Sequence, residues 1–350
     1  MALRQKLEQL MRKSVRELEL PEYRYEPGIP MDLNTNLIGP NPAVTRVDLA
    51  SLELNHYAHP DARPLREALA RFHGLSIEQV LVGRGADENL DIVVRAFVNP
   101  GERVAYPVPG FIMYPFFARV NAAEVVEVPL LNGFALDVDG MLGAGAKLAI
   151  LCSPNNPTGN CLSEEAIIQV IENTPVVLID EAYAEFSDQN FVKRIGDYEN
   201  LIVNRTFSKA YGLAGIRVGY LVAGEAMVRA LDRARPDYNM NSISERIAIE
   251  ALNEQTFVEG YIQLVRTERE RLRRDLENLG FRVYPSQANF LLARSPIDVR
   301  ELVSALKRGG ILIKDVSDQP GLEGCVRITI GTKELNRRLV ESLRRTLQDR

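Results

Sequence analysis

Tryptophan is absent from the 350-residue chain, and only three cysteines and three histidines occur. Cys152, Cys161 and Cys325 are odd in number and form no CxxC pair, which suits a reducing compartment better than a disulfide framework. His56, His59 and His73 are too few and wrongly spaced for a histidine-rich metal site, so no metal is expected. No apolar run is long enough to cross a bilayer. The longest, at 148–152 and 176–179, fall far short, and residues 1–19 are charged throughout, without the apolar centre of a secretory signal. Dense basic stretches interleaved with aromatics are missing too, and the net charge is −5, from 42 Lys and Arg against 47 Asp and Glu. Neither nucleic acid nor membrane is therefore an expected partner, and a cytoplasmic location is expected. The HExxH, GxxxxGKS/T and GxSxG patterns do not occur. Residues 83–88 begin like a dinucleotide fingerprint, but Glu88 stands at the third glycine position, which argues against nicotinamide binding.

What is present reads as a folded chain. Hydrophobic residues make up 46% and charged residues 25%, the averages of soluble globular proteins, and the length suffices for two domains. Leu3, Leu7, Leu10, Met11, Val15 and Leu18 predict an amphipathic helix that stops before Pro21, and 27–42 reads as irregular. Helices are then expected at 64–75, 86–98 and 163–172, the last capped by Ser163. Between and after them lie seven short apolar runs, 79–83, 103–106, 124–128, 148–152, 176–179, 201–204 and 218–222. Such runs separated by helices predict an α/β fold with a mostly parallel seven-stranded sheet and helices on both faces. A long helical pattern, 243–279, broken near 253–256, then gives way to strands at 282–284, 290–293, 311–314 and 326–330. Two further helices run through Val299 to Leu306 and Leu335 to Leu343, the first stopped by Gly309-Gly310. The expected division is an arm, 1–42, packing on the small domain or a partner subunit; a large domain, 43–245; and a smaller α+β domain, 246–350.

In open parallel sheets, ligands gather beyond the carboxyl ends of the strands. Three such ends carry chemistry. Ser153-Pro154-Asn155-Asn156-Pro157-Thr158-Gly159 follows one run, Asp180-Glu181-Ala182-Tyr183 another, and Arg205-Thr206-Phe207-Ser208-Lys209, with Gly212, Gly215 and Arg217, a third. Singly these are ordinary: a strand-end Asp is usually a helix cap, a Lys solvated, and Asn-Pro a turn. Together they meet the needs of one cofactor. An aldehyde requires an amine such as Lys209, a pyridine nitrogen requires an anion such as Asp180, and a ring hydroxyl requires partners such as Asn156 and Tyr183. A phosphate requires oriented N–H groups and cations, offered by the helix start at 83–88 and by Thr206, Ser208 and Arg217.

These segments resemble the signature of the fold type I aminotransferases that use pyridoxal 5'-phosphate. The likeness extends over Leu33-Asn34-Thr35-Asn36, His56-Tyr57, Arg84 to Glu88, Pro109 to Tyr114, Tyr238 to Asn241 and Cys325 to Thr332. In order and spacing it is most similar to the histidinol-phosphate aminotransferases. The resemblance implies that Lys209 carries the cofactor and moves protons, that Asp180 faces the pyridine nitrogen, and that Asn156 and Tyr183 hold the ring oxygen. It implies further that Ala86, Asp87, Glu88, Thr206, Ser208 and Arg217 surround the phosphate, and that Tyr57 reaches it from the other subunit of a homodimer. Arg327, with Lys314 and Asn36, would meet the substrate, an amino donor followed by a 2-oxo acid, most simply 2-oxoglutarate.

The chain also departs from that pattern. Phe111 stands where a stacking tyrosine is usual, Leu37 where Glu is common, and Lys314 where a second arginine is usual; 23–30 lacks the usual opening. Read without the resemblance, Arg327 is an ion-pair partner across the small sheet and Tyr57 a packed turn aromatic. Two activities with the same cofactor remain as alternatives: an aromatic amino-acid aminotransferase, and a decarboxylase of a phosphorylated amino acid such as threonine phosphate. A cofactor-sensing DNA-binding regulator would need a basic recognition helix that the sequence lacks.

Overall fold

The computed structural model describes residues 8–18 and 27–348. After the two-residue strand β1 (Ile29–Pro30), seven strands build the large sheet: β2 (Val80–Gly83), β3 (Arg103–Val108), β4 (Glu124–Pro129), β5 (Leu148–Cys152), β6 (Val176–Asp180), β7 (Leu201–Thr206) and β8 (Gly219–Ala223). Their order is β2-β8-β7-β6-β5-β3-β4, and only β8 runs against its neighbours. Every residue of β5, β6, β7 and β8 is buried, which is why these strands are unbroken apolar runs and do not alternate.

Successive residues of these strands feed two cores. Val177, Ile179, Leu201 and Val203 face one layer, while Val176, Leu178 and Ile202 face the other. Helix Gly85–Phe97 starts directly beyond the end of β2, and helix Glu164–Asn173 follows β5 after the polar segment 153–163. In the second, the Ser163 hydroxyl accepts from the Ala166 N–H at 3.3 Å and caps the helix as its position before Glu164 suggests.

The helical stretch beyond residue 241 is two helices, Ser242–Leu252 and Gln255–Asn278, interrupted where the spacing predicted. The expected division at 246 lies within the first of them. Four strands then form an antiparallel sheet in the order β12-β13-β10-β9, from β9 (Arg282–Val283), β10 (Phe290–Arg294), β12 (Lys314–Asp315) and β13 (Cys325–Thr329).

Two expectations fail. The run 311–314 is not one strand: β11 (Ile311–Leu312) pairs in parallel with β1, whereas Lys314–Asp315 pairs with β13, so two neighbouring dipeptides join different sheets. The amphipathic helix at the start is also broken. Residues 8–10 are helical, but Arg12 is extended at φ −54, ψ 138 before the short helix Lys13–Arg16. Its stop before Pro21, and its first residues, lie outside the described ones. Among the described residues no helix is long and apolar enough to cross a membrane, and no group of His, Cys, Asp and Glu could hold a metal ion.

Candidate active site

A cavity of about 260 Å³ opens at the carboxyl ends of β5, β6 and β7, where each strand hands over to a polar segment. Asn156, Asp180, Tyr183, Thr206, Ser208 and Lys209 line it, with Ala86 and Asp87 from the start of helix Gly85–Phe97, and Phe111 and Arg217. The small sheet and the arm close it with Arg327, Leu33 and Asn34. Parallel pairing of β5 with β6 and β6 with β7 brings these groups to one edge, because register places Cys152 beside Asp180 and Asp180 beside Asn204.

Asp180 is 3% exposed. One carboxylate oxygen accepts from the Tyr114 hydroxyl at 2.9 Å and the other from the Ala182 N–H at 3.1 Å. Burial nevertheless raises its pKa to about 6, and these two bonds only oppose that rise. It pairs with no cation among the described residues. The Lys209 amine is enclosed by protein, while the residue stays partly accessible through the cavity, and its Nζ donates to the Leu33 carbonyl at 3.1 Å. Burial first, then the charges of Arg327 and Arg217, lower its pKa to about 8, so near neutral pH a usable fraction is free base. The sequence suggested Arg217 as the neighbouring cation; Arg327 has the larger effect of the two.

Arg327 Nη1 donates to Asn156 Oδ1 at 2.5 Å, Nη2 donates to the Asp32 carbonyl, and buried Nε has no partner. The guanidinium also lies over the Phe290 ring, 5.5 Å from its centroid. Among the described residues no acid pairs with it across the small sheet. Arg217 donates from Nη2 to Asp87 at 3.1 Å and from Nη1 to Ser208 Oγ at 3.4 Å. This exposed pair contributes little stability. Its backbone at φ +53 and that of Gly85 at φ +83 set the spacing: a Cβ on Gly85 would stand 2.7 Å from Arg217 Nη2.

Four residues read from sequence lie outside the lining. The Glu88 carboxylate turns back to the Arg84 N–H and guanidinium and to Asn239, which satisfies it away from the cavity. Lys314 is exposed, in register with Arg327 on the neighbouring strand. Asn36 Oδ1 accepts from the Ile38 N–H within its own turn. Tyr57 is 86% exposed and packs on Tyr238 at a ring separation of 4.9 Å.

Two residues had no assigned role. Tyr114 and Asn34 fall in segments that carried the resemblance, and each hydrogen-bonds a pocket residue, Asp180 and Tyr183 respectively. A buried strand-end aspartate needs donors, and that requirement was the available signal for Tyr114.

Behind this edge lies an ion cluster that lines no part of the cavity. Arg205, buried, donates from Nε to Glu181 at 2.8 Å and from Nη1 to Glu185 at 3.2 Å. Glu181 follows Asp180 and Arg205 precedes Thr206, so the cluster ties the ends of β6 and β7 on the face opposite the cavity.

Sequence and structural relatives show what the chain is similar to. A histidinol-phosphate aminotransferase of Pyrococcus furiosus is 41% identical over 304 residues, 86% of each chain. One of Thermoanaerobacter pseudethanolicus is 38% identical over 355 residues, 97% of this chain and 99% of that one. The solved histidinol-phosphate aminotransferase of Sinorhizobium meliloti, in complex with pyridoxal-5'-phosphate, superimposes with a TM-score of 0.88 at 26% identity, over 97% of this chain and 98% of that one. Residues 30–343 match the family described as aminotransferase class I and II, and the chain belongs to that family.

Proposed function

We propose that the chain is a pyridoxal-phosphate-dependent aminotransferase that passes the amino group of histidinol phosphate to 2-oxoglutarate. One observation carries the reading: a single cavity presents the amine of Lys209, the buried carboxylate of Asp180 and the cation of Arg217. The names of the relatives supply the donor.

The residues fit the cofactor. Asp180 is a buried carboxylate without a cationic partner among the described residues, as a pyridinium would require. Gly85 leaves open the space beside Arg217 that a Cβ would fill, next to the unpaired N–H groups expected in a helix first turn. When bound, pyridoxal phosphate supplies an aldehyde reactive toward amines and a ring that accepts the electron pair left on carbon when a proton departs.

Lys209 would hold that aldehyde, Asp180 the ring nitrogen, and Asn156 and Tyr183 the ring oxygen, with Phe111 against the ring face. Ala86, Asp87, Thr206, Ser208 and Arg217 would surround the phosphate. Lys209 Nζ, as free amine, would take the α-proton of the donor and deliver it to the former aldehyde carbon of the cofactor. Asp180 keeps a proton on the ring nitrogen by remaining ionised. Arg327, with its buried and unpartnered Nε, receives the anionic end of donor and acceptor, and exposed Lys314 adds positive charge outside that end. In this reading 43–245 carries the cofactor, 246–350 the substrate arginine, and the arm covers both.

The same proposal includes a homodimer and a cytoplasmic location. Support for the dimer is the exposed apolar surface of Tyr57, Leu54 and Tyr238, at 86%, 54% and 47%; Tyr57 would reach the phosphate of the partner's cofactor. Support for the cytoplasm is that all three cysteines are unpaired. A steady-state screen of histidinol phosphate, phenylalanine, tyrosine and threonine phosphate, each with 2-oxoglutarate and with carbon dioxide monitored, tests the activity. Turnover of histidinol phosphate well above the others supports it. Carbon dioxide release from threonine phosphate, or a preference for an aromatic amino acid, replaces it.

A further inference from the structure

The phenol of Tyr183 faces the cavity with one hydrogen, and the direction of that hydrogen decides whether it can bind an oxygen anion. We infer that Thr329 and Asn34 form a polarised hydrogen-bond chain that aims the Tyr183 hydroxyl hydrogen into the cavity, making both positioning residues for the ring oxygen of the cofactor. The inference rests on the pocket reading given above.

The chain starts from a group whose polarity is fixed. The backbone N–H of Asn34 donates to Thr329 Oγ1 at 3.0 Å, and an N–H can only donate. The hydroxyl hydrogen of Thr329 must therefore leave on another line, and among the described residues its acceptor is Asn34 Oδ1 at 3.2 Å. That contact settles the orientation of the amide. Its Nδ2 is left facing Tyr183 and donates to the phenol oxygen at 3.1 Å. Turning the amide over would point an NH2 at Thr329 and strand its hydrogen, where Thr329 is 0% and Asn34 1% exposed. The Tyr183 oxygen thus accepts, and its own hydrogen has no acceptor among the described protein groups. It is directed into the cavity that the side chain lines.

Each member is anchored. The Thr329 N–H donates to the Met31 carbonyl at 2.7 Å, and Asn289 Nδ2 donates to the Asn34 carbonyl at 3.0 Å. Asn34 sits at φ +54, a left-handed conformation that asparagine tolerates. Donation by Asn34 also makes the phenol a stronger donor, because hydrogen bonds in series polarise one another. Thr329 shares β13 with Arg327, so one strand of the small sheet sets the phenol direction and carries the substrate arginine.

The test compares dissociation constants of the apoprotein for pyridoxal phosphate and for 3-deoxypyridoxal phosphate, which lacks the ring oxygen. Four variants are measured, with far-UV circular dichroism to verify folding: Thr329→Val, Thr329→Ser, Asn34→Asp and Tyr183→Phe. The inference expects the preference of the native protein for pyridoxal phosphate to fall about tenfold in Thr329→Val, the size of one lost hydrogen bond to a charged group. Thr329→Ser restores it. Asn34→Asp lowers it at least as far as Tyr183→Phe, because an aspartate accepts the phenol hydrogen and reverses the chain. If Tyr183→Phe lowers the preference but Thr329→Val and Asn34→Asp leave it native, the chain does not act and the inference falls while the pocket reading stands. Equal weakening of both ligands in the Thr329 and Asn34 variants reduces the two residues to structural support and overturns it as well. If Tyr183→Phe itself keeps the native preference, the placement of the ring oxygen at Tyr183 is wrong. Should Thr329→Val fail to fold, Asn34→Asp carries the decision.

Discussion

Replacing Asp180 by asparagine should stabilise the apoprotein at neutral pH, and the gain should be a function of pH. Burial lifts the carboxyl from its ordinary 3.8 to about 6. Between those values the folded chain holds a proton that the unfolded chain has released, so folding stability falls as pH rises through the window and is level above it. Because tenfold in proton affinity is worth about 1.4 kcal/mol, the native protein loses roughly 3 kcal/mol across pH 4 to 6 from this one group. The group is 3% exposed, so solvent screening does not discount the figure. Asparagine has no proton to release and can still accept from one of the two donors, Tyr114 and Ala182. Urea unfolding of both apoproteins between pH 3.5 and 8 measures the difference directly, and taking the difference cancels every other titrating group. The expected curve has the variant gaining about 3 kcal/mol on the native protein from pH 4 to 6, then a plateau. Saturating pyridoxal phosphate should reverse the order, since the native carboxylate then has its cation. A pH-independent difference between the apoproteins would refute the argument that Asp180 is a destabilising charge awaiting a partner.

Lys209→Ala should abolish turnover and the borohydride-trapped adduct on that peptide, with an unchanged circular dichroism spectrum; transaminase activity in that variant would remove the amine from its role. Recombination of the apoprotein with pyridoxal phosphate, followed by absorbance, should accelerate as pH rises through about 8, because only the deprotonated amine attacks an aldehyde and Lys209 releases its proton there. Arg327→Lys should lower kcat/KM for donor and acceptor about a hundredfold, mostly through KM, since a point charge replaces the planar fork in a buried site. Gly85→Ala should weaken binding of pyridoxal phosphate, measured by titration, because its Cβ would collide with Arg217 and the residue sits at φ +83.

Most of the large sheet was legible because its strands are buried on both faces, so burial writes itself as unbroken apolar runs; β5 falls on the very residues that the composition marks. The break between helices at Leu252 and Gln255 was legible for a similar reason, as a lapse in spacing. The split at 311–314 was not. Nothing local tells Ile311 to pair with Ile29 and Lys314 with Arg327, since those partners are far away in the chain. The break at Arg12 escaped because apolar spacing continued through it. At the cavity, strand-end positions pointed to Asn156, Asp180 and Lys209 without knowledge of the fold. Tyr114 and Asn34 act through other side chains, and their partners are visible only in three dimensions. Glu88 was placed by its neighbours in sequence, yet its carboxylate is claimed by Arg84 and Asn239.

The ion cluster behind the sheet edge constrains how this chain can change. Removing Arg205 alone would maroon Glu181, which is 0% exposed, at a typical cost of about 3–5 kcal/mol, and removing Glu181 would leave the guanidinium to Glu185 and Asn190 alone. Substitutions there must therefore come in matched sets. Until they do, the distance between Asp180 and Thr206 is inherited intact, whatever the rest of the pocket mouth acquires or loses.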